Sequence, residues 1–127
     1  MRLIVAVGVA GFMGAVLRYE IGLWFTTANG ASAFPWPTLF VNLTGSFLLG
    51  LLFGYASTYK VPHWFKEAAG TGFLGAYTTF SAFSGQLWQL IEGQNYSYAI
   101  IYVLLSGVGG WIIATAGYSL GLKGRAV

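Results

Sequence analysis

The sequence contains no cysteine, which excludes disulfides, thiolate metal sites and thiol catalysis. Charge is almost as scarce. Only 7% of the 127 residues are charged, against about 25% in an ordinary soluble domain. Such a chain lacks the means to cover itself with a polar surface. Histidine occurs once, at His63, and the three acids Glu20, Glu67 and Glu92 all fall near the ends of apolar stretches. That leaves no metal-ligand cluster, no Ser-His-Asp set and no carboxylate in mid-span to relay protons. An enzyme is not the reading these residues support. The net charge is +3, but six scattered cations make no nucleic-acid patch.

What the chain does have is apolar length. It is 57% hydrophobic with a mean hydropathy of +0.70. Arg2, the run from Leu3 to Leu17 and the late Ala31-Ser32-Ala33 imitate a signal peptide. Arg18 and Glu20 close that run and Ile21 to Phe25 is apolar again, so a single retained helix is expected. Four apolar segments follow from the turn signals, at about 3–25, 38–57, 64–91 and 98–122. The breakers are Asn29-Gly30, Pro35 and Pro37, then Pro62 beside Lys60 and Lys66, then the loop EGQNYS. About 20 residues cross a bilayer core, so four spans nearly use up the chain. The expectation is one all-α membrane domain over 1–127, with both termini on one side.

Small residues recur every fourth position: Ala6, Ala10 and Gly14; Asn42, Ser46, Gly50 and Gly54; Ser106, Gly110 and Ala114. Such stripes let helix backbones approach closely in lipid. Tyr19, Trp24, Trp36, Tyr59, Trp64, Tyr96 and Tyr98 fit interfacial belts, and mid-span Trp111 should face lipid or a partner.

One stretch stands apart. Residues 71–84 read TGFLGAYTTFSAFS, with five threonines and serines among glycines and phenylalanines. Hydroxyls and a broken helix are tolerated at bilayer depth only where protein or water covers them. Gly75 before Tyr77-Thr78-Thr79 suggests a break that frees backbone carbonyls. A bound cation would satisfy them, or threonine hydroxyls would repair a simple kink. Phe80, Phe83, Ser84 and Leu87 share a helical face, which is either packing or a lined path. Asn42 offers two donors and an acceptor, enough for an interhelical hydrogen bond. Arg18 could snorkel to the interface, cap carbonyls or attract anions into a vestibule.

The motifs GFMGAVLRY (11–19), PTLFVNLTGSF (37–47) and TGFLGAYTTFSAFS (71–84) resemble the small bacterial fluoride channels, the Fluc family. Their order and spacing agree, and the likeness covers nearly the whole chain. The resemblance implies four transmembrane helices per subunit, the third broken near its middle. It implies an antiparallel, dual-topology dimer in the cell inner membrane that lets fluoride out passively and confers fluoride resistance. Phe80 and Phe83 would line the fluoride path with Asn42 as donor, among the hydroxyls of Thr79, Ser81, Ser84, Tyr102 and Ser106. Arg18 would serve a vestibule or a structural role. A structural sodium ion would be held by the backbone carbonyls of Gly75 and Thr78 from both subunits.

Two positions depart from the family pattern. Ala82 stands where threonine is usual, and Gln86 where glutamate is frequent. Arg2, Lys60, Lys66, Lys123 and Arg125 all fall on the side of the termini, against Arg18 alone near the other. The positive-inside rule then favours cytoplasmic termini. A homodimer with both orientations would show little bias, so a heterodimer with an inverted homologous subunit is the alternative. Rival functions are a small inverted-dimer drug or metabolite antiporter and a structural subunit of a larger membrane complex.

Overall fold

Three long apolar runs and one interrupted run become the helices of the fold. The computed structural model describes residues 1–29 and 33–123. Gly30 of the first breaker, Ala31, Ser32 and Arg125 lie outside the described residues. Helix α1 is Arg2–Asn29 and α2 is Trp36–Thr58. Next come α3, residues 63–77, and α4, Phe80–Glu92, separated by two extended residues. Helix α5 is Tyr96–Leu122. No strand occurs among the described residues. Three of these helices, α1, α2 and α5, are each long and apolar enough to cross a membrane.

Local chemistry accounts for the ends. Pro35 caps α2 and Pro37 sits in its first turn, where a missing N–H is one of the orphan donors anyway. Pro62 caps α3 in the same manner. Segments Glu67–Leu74 and Leu105–Gly109 widen to π-helical turns, a geometry that recurs at functional sites.

The helices pair off. Helix α1 packs on the π-helical part of α3, and α2 packs along the second half of α5. Both seams depend on glycine. A Cβ on Gly50 would run into the Ala114 carbonyl, and one on Gly117 into the Phe47 carbonyl. Gly14 meets the Phe73 carbonyl in the same way, and a Cβ on Gly72 would lie 2.7 Å from the Val7 carbonyl. Two small clusters fill the interior: Phe34, Leu39, Leu90, Ala99 and Tyr102 in one, Val41, Leu74 and Tyr77 in the other. The outside is apolar and exposed, including Trp111 at 69%. A surface this apolar around long helices belongs in lipid.

Candidate functional site

The interruption between α3 and α4 is the centre of the site, and it begins at Thr78, three residues after Gly75. Gly75 keeps helical angles (φ −63°, ψ −34°). Thr78 (φ −80°, ψ 160°) and Thr79 (φ −150°, ψ 123°) are the extended pair. What holds them open is a side chain 37 residues away. The Thr79 N–H donates to Asn42 Oδ1 at 2.8 Å, and Asn42 Nδ2 donates back to the Thr79 carbonyl at 3.0 Å. The amide thus substitutes for a backbone partner on both sides of one residue.

Hydroxyls finish the two helix ends. The Thr79 hydroxyl caps α4 by accepting from the Ala82 N–H at 3.2 Å. The Leu74 carbonyl accepts from both the N–H and the hydroxyl of Thr78, each at 3.0 Å. In a continuous helix the Thr79 N–H would serve the Gly75 carbonyl and the Ala82 N–H would serve that of Thr78. Both donors are spent elsewhere. The carbonyls of Gly75 and Thr78 therefore lose their helical partners, while that of Leu74 is repaired. Two freed carbonyls three residues apart fit a hard monovalent cation, whose ligands are oxygens.

Around the break lies an open groove of about 470 Å³. It gathers Asn42, Ser46, Gly75, Thr78, Thr79, Phe80, Phe83 and Ser106 from four helices. Phe80 projects with 80% of its surface exposed. Its ring centroid is 5.8 Å from that of Phe83, which in turn lies 5.0 Å from the ring of Tyr102. The Ser106 hydroxyl is shielded from solvent and has no hydrogen-bond partner among the described residues. An unpaired buried hydroxyl beside an open groove is a donor in search of an acceptor.

Other expected residues stand apart from this face. Ser81 and Ser84 do not line the groove. The Ser84 hydroxyl turns back to the carbonyls of Phe80 and Ser81, both at 3.1 Å, and Ser81 lies 3.3 Å from the Thr79 hydroxyl. Tyr102 is fully buried behind Phe83, its hydroxyl donating to Gln86 Oε1 at 3.0 Å. Arg18 lines a second cavity of about 170 Å³, with Thr38, Val41, Thr79 and Ala82. Thr79 borders both spaces. The methyl of Ala82 offers that cavity no hydrogen bond.

Donors, ring edges and freed carbonyls without a nucleophile or a base suit holding and passing ions. Among the described residues no three His, Asp or Glu come together.

Residues 5–118 match the family described as CrcB-like protein, Camphor Resistance (CrcB). The chain is 42% identical over 117 residues to "Fluoride-specific ion channel FluC 2" of Geobacillus kaustophilus, covering 90% of this chain and 88% of the relative. It is 44% identical over 105 residues to "Fluoride-specific ion channel FluC" of Erythrobacter litoralis, covering 79% and 77%. A third relative, "Fluoride-specific ion channel FluC 2" of Lactobacillus acidophilus, is 41% identical over 120 residues, covering 91% and 94%. With nearly its whole length matched and its apolar helices exposed as lipid requires, the chain is a multi-pass membrane protein of the CrcB family.

Proposed function

We propose that this chain is the subunit of a fluoride-selective channel, not an enzyme, and that it lets fluoride leave the cell passively. The observation that carries the reading is the groove at the break, where Asn42, Thr79, Phe80, Phe83 and Ser106 converge, in a chain whose relatives bear the name fluoride-specific ion channel. Fluoride is small and tightly hydrated, so its path must replace lost water. Asn42 spends one N–H on Thr79 and keeps a second for an anion. Ser106 has an unspent hydroxyl. Phenyl rings carry a positive edge, and Phe80 and Phe83 stand in succession along the groove. An inside-negative potential favours anion exit by about 2.3 kcal/mol per charge per 100 mV, so no pump is needed.

Helices α3 and α4 together make the fourth crossing in this reading. At 1.5 Å per helical residue they reach about 40 Å, ample for a hydrocarbon core of about 30 Å. The alternation of four crossings then gathers Arg2, Lys60, Lys66 and Lys123 at one face. The groove is open in a single subunit and its exposed Phe80 and unpaired Ser106 call for a cover. A second, inverted copy supplies it, giving an antiparallel homodimer in which the two breaks meet. A heterodimer with an inverted homologue would cover the same face. The Gly75 and Thr78 carbonyls of each subunit would hold a structural sodium ion, which would supply fixed positive charge there. Arg18 serves the adjoining cavity as an anion vestibule.

The deciding experiment is ion efflux from liposomes containing only this protein. Fluoride should leave rapidly and chloride should stay. Retention of fluoride by vesicles that contain well-folded protein would overturn the reading.

A further inference from the structure

Helix α2 touches the break and the helix end just before it through three residues, Asn42, Gly45 and Thr44. Asn42 holds Thr79, as described. Gly45 lies against Thr78, so closely that a Cβ there would meet the Thr78 methyl. The third contact joins Thr44 Oγ1 to the Tyr77 hydroxyl at 2.8 Å. Thr44 donates its own proton to the Phe40 carbonyl at 2.7 Å, so Tyr77 is the donor in that pair. Tyr77 is 4% exposed and stacks on Phe73, with neither group in the groove. Nothing in ion passage uses this hydroxyl, and yet it is buried and paired at the last helical residue before the break.

Peptide geometry says what it does. In a trans peptide the N–H and C=O point in opposite directions. The Thr78 carbonyl shares its plane with the Thr79 N–H, so Asn42, by accepting that N–H, aims the carbonyl away from α2. The other end of that plane is Thr78 itself, whose N–H and hydroxyl are both tied to the Leu74 carbonyl in the last turn of α3. The carbonyl can hold its direction only if that helix end is fixed relative to α2, and Tyr77 is its last residue. We infer that Tyr77 and Thr44 are positioning residues: their hydrogen bond anchors α3 to α2 and, with Asn42, forms a two-point clamp that holds the Thr78 carbonyl in its ion-binding direction. The inference rests on the proposed sodium site and names the residues of this chain that build it.

The hydrogen-bond inventory gives the clamp an unusual signature. Tyr77→Phe removes the donor but leaves Thr44 paired with Phe40. Thr44→Val removes the acceptor and strands the Tyr77 hydroxyl in an apolar cluster, which is worse than losing both groups. Thr44→Ser keeps the contact. The order of damage is therefore Thr44→Val greatest, then Tyr77→Phe and the double variant Tyr77→Phe/Thr44→Val together, and Thr44→Ser near the unaltered protein.

The test reads sodium dependence in two ways on the full-length dimer. One is the fraction of dimer on size exclusion at a temperature where every variant stays folded, with sodium titrated against N-methylglucamine. The other is fluoride efflux over the same titration. Tyr77→Phe should need roughly three- to tenfold more sodium for the half-maximal dimer fraction, the scale of one interhelical hydrogen bond. Thr44→Val should need more still, and adding Tyr77→Phe to it should lower the requirement again. A purely structural contact would reduce thermal stability in Tyr77→Phe and Thr44→Val and leave the sodium midpoint where it was, which overturns the clamp. An unaltered dimer that carries fluoride but ignores sodium overturns the ion site and the clamp with it. Sodium-dependent dimers that show the graded order but carry no fluoride support the clamp and refute the channel reading alone.

Discussion

The seam between α2 and α5 and the groove at the break are both built from small residues, and they are opposites. Along the seam, Gly50, Gly54, Gly117 and Gly121 each abut a backbone carbonyl of the facing helix. Nothing fits between. In the groove, Gly75 has only one neighbouring atom near the position of a Cβ, at 3.6 Å, and Gly107 has none. The same residue type thus brings two backbones together in one region and keeps a surface open in the other. A small-residue stripe in a membrane chain says that something must come close. It does not say whether that is the next helix, a second subunit or an ion.

Substitution separates the two. Gly50→Leu should have the largest effect, because a side chain would have to displace the Ala114 carbonyl on a neighbouring helix. Overpacking costs about 1–3 kcal/mol even where side chains can yield, and here backbone must move. Monodisperse protein in detergent should be lost, whereas Gly8→Leu, with open space around it, should behave as the parent. Recovery of normal Gly50→Leu protein would mean that the seam is looser than described.

Asn42→Ala comes next. It strands the N–H and carbonyl of Thr79, at about 1–3 kcal/mol for an unsatisfied buried group. The expected outcome is a tenfold or greater fall in fluoride flux per folded protein, roughly 1.4 kcal/mol or more. Phe80→Ile and Phe83→Ile should each lower flux about tenfold by removing a ring quadrupole, an interaction worth about 0.5–1.5 kcal/mol. Phe83→Ile should also lower the melting temperature, since that ring rests on Tyr102, while the exposed Phe80 should not. Equal flux in the double isoleucine variant would return both rings to plain packing. Ser106→Ala is the mildest. Its hydroxyl has no partner among the described residues, so stability should change by less than about 0.5 kcal/mol. A small loss of flux would mark the hydroxyl as a donor to the ion.

These comparisons also show what the residues disclosed unaided. The apolar runs gave helix positions to within a few residues, because apolar length and proline punctuation are local properties. Gly75 pointed to a break, but the break lies at Thr78 and Thr79, where Asn42 supplies hydrogen bonds from another helix. No local rule could place it there. Asn42 was legible as a residue needing partners, and its choice of the Thr79 backbone was not. Spacing marks Ser106, Gly110 and Ala114, but the seam uses Gly117 and Gly121, since two interleaved small-residue stripes on one helix cannot be ranked without the neighbouring helix. The π-helical turns left no mark in composition. The Tyr102–Gln86 hydrogen bond joins positions 16 apart on different helices and had no periodic signal.

The reciprocal pair between Asn42 and Thr79 also fixes an order of events. Helices of a membrane protein form first and dock second. Before α2 reaches the break, the Thr79 N–H has no Asn42 to bond, and its nearest acceptor is the Gly75 carbonyl one turn back. Docking of α2 withdraws that donor and exposes the carbonyl in a single step. The pair of freed carbonyls accordingly does not exist in an isolated third segment, however well formed, and it comes into being only as α2 docks. An unfinished subunit would lack the two oxygens that the proposed sodium ion needs from it.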